Sequence, residues 1–324
     1  MFTHKDIEHR SIFVINCLEK RSLRVSNGEL LLEEEQDGEK RTLTKMPFQK
    51  ILVVFVVGHI TVTTPLVDKC KRYGVALVVV NPSLRPVFLC ADSAEANYLL
   101  RQRQYAMDKN DISIAKHLVK NKIANQMALL KRTRMKDALT EEATTVCQEI
   151  FDNIDTQTDY NSLMGMEGMA AKSFFAAYYQ KNDWEARRPR VKSDPLNATL
   201  DVGYTILFNY IECFVRMFGF DVYVGVYHRL WFKRKSLICD LVEPFRCIID
   251  KAVRSSFNRG QCSAKDFNYS KGEYRLKYEK NKDYCKLFFD ALIPYKTEVF
   301  KYVQAYYRCF MQGKDIDNYP KFEI

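Results

Sequence analysis

Near residue 95 the sequence changes its period. Before that point, short apolar or alternating runs are separated by turn dipeptides; after Asp92, long patterns with helical spacing run with few turn signals until Asp194-Pro195. Strands bury alternate residues and helices bury a 3.6-residue stripe, so one uniform layer cannot satisfy both halves. The expected architecture is α+β, with a small β-rich N-terminal domain over residues 1–93 and a larger, all-α-helical domain over 94–324. In the first part, Ser11–Cys17 is rich in β-branched residues. Asn27-Gly28 separates Ser22–Val25 from Glu29–Glu34, a strong hairpin signal because both turn positions favour positive φ. Asp37-Gly38 reads as a second turn, before Lys40–Lys45. Lys50–Val56 and Val75–Asn81 are continuous apolar runs of the kind found in buried strands, and Thr64–Tyr73 between them has helical spacing up to Gly74, a plausible C-cap.

Charge divides with the texture. Residues 1–95 hold 13 basic and 12 acidic side chains, while residues 96–324 hold 37 and 28, so nearly all of the net +10 lies on the helical part. Such an excess fits a polyanionic partner, nucleic acid or an anionic membrane surface. Neither Ile51–Val67 nor Val202–Phe220 is long and apolar enough to span a bilayer, and His4, Lys5, Asp6, Glu8, His9 and Arg10 break any signal-peptide apolar core. The expectation is therefore a cytoplasmic protein with no membrane association that binds nucleic acid. The ten cysteines form no CxxC pair, which suits thiols in a reducing compartment and argues against structural zinc. Basic residues cluster in three places: along 116–136, including Lys122; at Arg187, Arg188, Arg190 and Lys192, beside Trp184; and at Lys233, Arg234 and Lys235. Such groups neutralise phosphates without reading sequence, although any one cluster could be an ordinary solvated face.

No P-loop, GxGxxG, GxSxG or HExxH pattern is present, which excludes the common nucleotide-driven, dinucleotide-dependent, serine-hydrolase and zincin chemistries. The most unusual position is Glu167. On a helix its neighbours at i±3 and i±4 are Leu163, Met164, Ala170 and Ala171, all apolar, so the carboxylate falls on a face expected to be buried. A buried carboxylate must be paired, protonated or bound to a metal. Gly165 and Gly168 leave room for a ligand, and a buried pair with an Arg or Lys elsewhere is the competing expectation. Downstream, His228 follows the β-like approach Val222–Tyr227, and Asp240 and Glu243 lie one helical turn apart. Two carboxylates and an imidazole at Glu167, His228 and Glu243, with Asp240 adjacent, suit Mg²⁺ or Mn²⁺ and metal-dependent phosphodiester chemistry.

Five segments carry a family resemblance: Leu163-Met-Gly-Met-Glu-Gly-Met-Ala-Ala, Asp194-Pro-Leu-Asn-Ala, Gly203-Tyr-Thr-Ile-Leu, Val224-Gly-Val-Tyr-His and Ser236-Leu-Ile-Cys-Asp-Leu-Val-Glu-Pro-Phe-Arg. In order and spacing they resemble the universal CRISPR-associated integrase of spacer acquisition. Val57-Gly-His-Ile-Thr-Val-Thr-Thr-Pro-Leu resembles that family's first domain, and Tyr319-Pro-Lys-Phe its usual ending. The resemblance implies a homodimer, double-stranded DNA as substrate, and a small second CRISPR-associated adaptation protein as partner. It implies catalytic and metal-holding roles for Glu167, His228 and Glu243, and supporting roles for Asp240 and Asn197 near the site. The implied reaction is attack on repeat DNA by the 3′-hydroxyl of a captured fragment, which exchanges one phosphodiester for another and needs no ATP. Arg190-Val-Lys-Ser replaces the usual proline-rich approach to Asp194, and Val222 replaces a common proline; neither change touches an expected ligand. Two other readings remain: a metal-dependent nuclease cutting branched or single-stranded DNA, and a non-catalytic nucleic-acid-binding scaffold.

Overall fold

The computed structural model describes residues 4–17, 21–36, 38–91, 94, 96–134, 137–182 and 184–324. Asp37 of the expected second turn, Ser93 at the expected boundary and Lys136 of the first basic cluster lie outside them. The chain divides into two compact units. The first comprises 1–101 with 212–220 and 293–304; the second comprises 102–211, 221–292 and 305–324. The expected boundary at 93/94 falls near the end of the first stretch and does not anticipate the two later ones.

The first unit opens with α1 (His4–His9) and contains two sheets. β1 (Ser11–Cys17), β5 (Ile51–Gly58), β6 (Ala76–Val80) and β7 (Pro86–Cys90) form a four-stranded sheet in the order β1-β5-β6-β7. β5 runs parallel to both neighbours and β7 antiparallel to β6. α2 (Thr64–Tyr73) makes the β5-to-β6 crossover that a parallel pair requires. It stops where expected, at Gly74, whose φ of 66° is costly for residues with a Cβ. Every residue of β5 is buried, as its unbroken apolar run requires. β2 (Arg21–Ser26), β3 (Glu29–Gln36) and β4 (Glu39–Pro47) form an antiparallel meander. The first turn is the expected one, with Asn27 and Gly28 at φ 50° and 78°. Leu23, Leu30, Phe48, Val54, Val56, Leu66 and Leu77 join one apolar core, on which Phe48 stacks against Tyr73.

The remaining helices are α3 (Tyr98–Tyr105), α4 (Ser113–Lys131), α5 (Ala138–Asn153), α6 (Tyr160–Tyr178), α7 (Pro195–Met217), α8 (Ser236–Val242), α9 (Arg246–Asn258), α10 (Asn281–Leu292) and α11 (Lys296–Gln312). A 3₁₀ turn, Glu243–Phe245, joins α8 to α9. β strands followed by a helical region bear out the α+β class. The second unit is nevertheless not wholly helical. β8 (Phe267–Ser270) and β9 (Glu273–Leu276) form a hairpin. Lys271 and Gly272 make its turn at φ 53° and 81°, and Tyr269 meets Tyr274 across it with ring centroids 4.9 Å apart. Among the described residues no helix is long and apolar enough to cross a membrane.

Candidate active site

α4, α6, the segment 222–228 and the Glu243–Phe245 turn bring Glu167, His228, Asp240 and Glu243 into one neighbourhood of the second unit. α4 is largely buried yet carries polar side chains at i, i+4 spacing: His117, Asn121 and Asn125 in one row, Lys122 and Gln126 in the next. The Lys122 ammonium pairs with Glu167 of α6 and, at 2.7 Å, with Oε2 of Glu243. Arg246 holds the other oxygen of Glu243, with Nη2 2.9 Å from Oε1. Burial alone would raise the Glu243 carboxyl, but Arg246 and Lys122 outweigh it and hold the group down at about 2. Burial would likewise discharge Lys122; Glu167 and Glu243 reverse this and keep it above the ordinary lysine range.

Glu167 does not sit in the middle of an apolar face. Leu163 and Ala170 are buried, Ala171 is half-buried and Met164 is exposed, so the carboxylate lies at the margin of the stripe with 19% of its side chain exposed. A Cβ added at Gly165 or Gly168 would meet nothing within 4 Å, so the open space expected beside it is present. The paired-lysine expectation for Glu167 is met by Lys122. That residue reads in the sequence as one more phosphate-neutralising lysine. Its position between apolar Leu118, Val119 and Ile123 was the available sign that it turns inward.

Asp240 has a different task. Its Oδ2 accepts from the backbone N–H of Val226 (2.6 Å) and Tyr227 (3.1 Å), and its Oδ1 from the N–H of His228 (2.8 Å). Val222–Tyr227 is therefore not the expected β-like approach: its backbone donors turn toward a carboxylate instead of a neighbouring strand. Gly225 is required there, because a Cβ would lie 2.5 Å from Asp240 Oδ2 and 2.8 Å from the Ser236 carbonyl carbon. Oδ1 also meets His228 Nδ1 at 2.7 Å. A carboxylate engaged by so many donors accepts, so Nδ1 donates to it and Nε2 is the ring nitrogen that Asp240 does not take.

Among the described residues no three His, Cys, Asp or Glu side chains lie close enough together to hold a metal ion. Glu167, His228 and Glu243 are thus not drawn into a three-ligand cluster. Lys122 stands between the two carboxylates instead, because converging negative charges require a positive one. The donor set still fits a hard divalent cation. Two carboxylates already share a cation, His228 Nε2 is the ring nitrogen turned away from Asp240, and buried Glu243 Oε2 has the charge of Lys122 nearby but no well-aligned hydrogen-bond donor.

Asn197 is buried and fully engaged away from these carboxylates. It accepts from Arg187 Nη1 (2.7 Å) and the Arg188 N–H (2.9 Å), and donates to the Ala186 carbonyl (2.9 Å) and Asp194 (2.7 Å). It fastens the basic segment to the start of α7. Arg187 is further held by Asp201 at 2.6 Å, and Arg234 by the Arg229 carbonyl, so neither guanidinium is a freely projecting DNA contact. Arg188, Arg190 and Lys233 are exposed and Lys192 and Lys235 are half-buried. In the first cluster, Lys120 pairs with Asp155 at 2.5 Å.

The other α4 row holds residues 319–324. His117 Nε2 meets the Pro320 carbonyl at 2.9 Å. Asn121 and Asn125 both donate to the Phe322 carbonyl, at 2.7 and 2.8 Å, and accept from the N–H groups of Phe322 and Ile324. Asn125 also donates to the Pro244 carbonyl at 3.1 Å, and Phe322 packs on Phe245 with centroids 4.6 Å apart. The Glu243–Phe245 turn is therefore tied to both α4 and the C-terminal segment.

The family model described as CRISPR associated protein Cas1 matches residues 17–289. A CRISPR-associated endonuclease Cas1 of Thermodesulfovibrio yellowstonii is 29% identical over 284 residues, 84% of this chain and 89% of that protein. Among solved structures, a Cas6-RT-Cas1–Cas2 complex superposes with a TM-score of 0.77 at 18% identity, over 97% of this chain and 36% of that one. A casposase bound to its integration product gives a TM-score of 0.76 at 18% identity, over 97% and 94%.

Proposed function

Because the chain belongs to the Cas1 family of CRISPR-associated proteins, we propose that it is a metal-dependent DNA integrase that joins the 3′-hydroxyl ends of captured fragments into a CRISPR repeat array. The observation carrying this reading is the convergence of Glu167 and Glu243 on one positive charge, beside a His228 whose outer nitrogen is kept available by Asp240. Glu167, His228 and Glu243 would hold Mg²⁺ or Mn²⁺, which supplies Lewis-acid polarisation of the phosphoryl oxygen and favours the ionised form of the attacking hydroxyl. The chain's own residues do the rest. Asp240 fixes the His228 tautomer and the backbone of 226–228. Arg246 keeps Glu243 ionised and oriented. Arg188, Arg190, Lys192, Lys233 and Lys235 neutralise phosphates of the duplex, and Asn197 and Arg187 hold the first of these segments in place.

The casposase captured on an integration product and the Cas1–Cas2 complex support strand transfer and a Cas2-type partner, and two copies of this chain would present one site to each end of a fragment. The test is incubation with Mn²⁺, a short duplex and a repeat-bearing supercoiled plasmid, with and without that partner. Joined strands are expected, and Glu167→Ala, His228→Ala and Glu243→Ala should lose them. Relatives named as endonucleases favour a second reading, hydrolytic cutting with water as nucleophile. Products that are only shortened would select it over integration.

A further inference from the structure

An arginine grips a carboxylate most strongly with two parallel N–H bonds, one to each oxygen. Arg246 does not grip Glu243 in that way. Its Nη2 lies 2.9 Å from Oε1, while its own buried Nε and the buried Oε2 of Glu243 have no well-aligned hydrogen-bond partner among the described residues. A half-used fork needs something to hold it, and Tyr204 of α7 does so. The Arg246 guanidinium lies over the Tyr204 ring, 4.7 Å from its centroid, and the Tyr204 hydroxyl donates to Oδ1 of buried Asp250. Arg246 and Asp250 are one turn apart on α9, so the ring is tied at its tip to the helix whose first residue it covers. Asp250 is held in turn by the Tyr179 hydroxyl, which donates to its carbonyl at 3.0 Å. A second guanidinium, Arg187, also lies over the ring at 5.4 Å, fixed by Asp201 at 2.6 Å and by Asn197 at 2.7 Å. The ring therefore has little freedom to slide away from Arg246.

The consequence falls on Glu243. Lys122, Gln126, Tyr204, Glu243, Arg246 and Asp250 line one cavity, so a released fork would have room to turn. It would close on both oxygens of Glu243, because a paired, charge-assisted contact is stronger than a single one. Oε2 would then belong to a guanidinium, which keeps its charge at any working pH, and a metal would lose that ligand. The attraction between the guanidinium and the ring face opposes this turn, since it is satisfied only while Arg246 stays flat on the ring. We infer that Tyr204 is a positioning residue: its ring holds Arg246 to one oxygen of Glu243 and keeps the other open to a divalent cation. The inference rests on the metal-site reading above and adds to it a residue that acts only through Arg246.

The test is calorimetric titration of the full chain with Mn²⁺ in the absence of DNA. Tyr204→Leu should weaken Mn²⁺ binding about tenfold, and Tyr204→Phe, which keeps the ring and loses only the tie to Asp250, about threefold. Gel-shift affinity for duplex DNA should stay within about twofold in both, because Arg187 keeps Asp201 and Asn197. The deciding variant is Tyr204→Leu/Arg246→Lys. A lysine has no fork to close on two oxygens, so the second substitution should restore most of the Mn²⁺ affinity that the first removes. A ring that only fills space gives the opposite result, a double variant that binds Mn²⁺ no better than Tyr204→Leu. That result overturns the inference, as does unchanged Mn²⁺ affinity in Tyr204→Leu, or an equal loss of Mn²⁺ and duplex binding. If Tyr204→Leu fails to fold, Tyr204→Phe and Tyr204→Phe/Arg246→Lys decide: a loss relieved by the lysine supports the inference, and no loss or no relief overturns it. Strand-transfer assays on wild type separate the two ideas. If it binds Mn²⁺ in the expected Tyr204-dependent way but joins no strands, the integrase reading fails alone; if it joins strands while the lysine brings no relief, the role of Tyr204 fails alone.

Discussion

Asp240 and Glu243 stand one helical turn apart, both buried, and are held in opposite ways. Asp240 faces backbone N–H groups and the protonated nitrogen of His228. Glu243 faces the side-chain cations Lys122 and Arg246. A carboxylate gripped by backbone donors is a fixed part of the scaffold, because those donors have nowhere else to go. A carboxylate gripped by a flexible lysine can change partners. The pair thus divides the labour: one builds the loop that presents His228, and the other, under the proposed function, would offer an oxygen to a metal.

The sharpest break of this comparison is at the exchangeable end. Glu243→Ala, Glu167→Ala or His228→Ala should each lower strand transfer about a thousandfold, the scale of losing a metal's Lewis-acid contribution, while gel-shift affinity for duplex stays within about twofold. Next comes the fixed end. Asp240→Ala should destabilise the protein by about 3 kcal/mol in urea melts, because several buried donors lose their acceptor together. Gly225→Ala should act in the same direction, with a smaller loss of about 1–2 kcal/mol from overpacking. If Asp240→Ala left stability untouched and removed only activity, the division of labour would be wrong. Lys122→Met tests exchangeability itself: with the resident ammonium gone, calorimetry without DNA should show Mn²⁺ binding about tenfold tighter. Weaker binding would make Lys122 a support for the metal site instead of a competitor.

The smallest effect is a contrast in pH slopes. Glu243 is depressed from 4.5 to about 2, so the stability it contributes is complete above about pH 4.5 and is lost as pH falls toward 2. Asp250, buried seven residues further on in α9, goes the other way: burial raises it from 3.8 to about 7 despite the Tyr204 hydroxyl and nearby arginines. A raised carboxyl favours the folded state most below its unfolded value and loses that advantage as pH climbs through 7. The stability of wild type relative to Asp250→Asn should therefore fall between pH 4 and 7, whereas relative to Glu243→Gln it should rise between pH 2 and 4.5. Melting curves across pH check both signs.

Local signals were legible in the sequence because they depend on local geometry. Asn27-Gly28 requires a left-handed turn and Gly74 ends a helix wherever the rest of the chain goes. The parallel pairing of β1, β5 and β6 depends on which strands meet after folding, and buried apolar runs look alike in any order. Site residues followed the same rule. Glu167, His228, Asp240 and Glu243 stood out as polar groups in apolar company. Lys122 did not, because counting charge along a stretch hides the inward face of a helix. Val222–Tyr227 looked like a strand because its apolar side chains are visible in sequence, whereas the carboxylate that collects its N–H groups comes from 14 residues later.

The asparagine row on α4 has a consequence in time. Asn125 joins the Pro244 carbonyl to Phe322, a partner 197 residues away along the chain. Contacts of such separation form late, after the loop-closure entropy of everything between has been met. During synthesis α4, α6 and the Glu243 turn all leave the ribosome before the segment that fastens them. A nascent chain can therefore hold every candidate ligand and still lack a rigid centre. Order at the candidate site would therefore arrive only when residues 319–324 close onto α4.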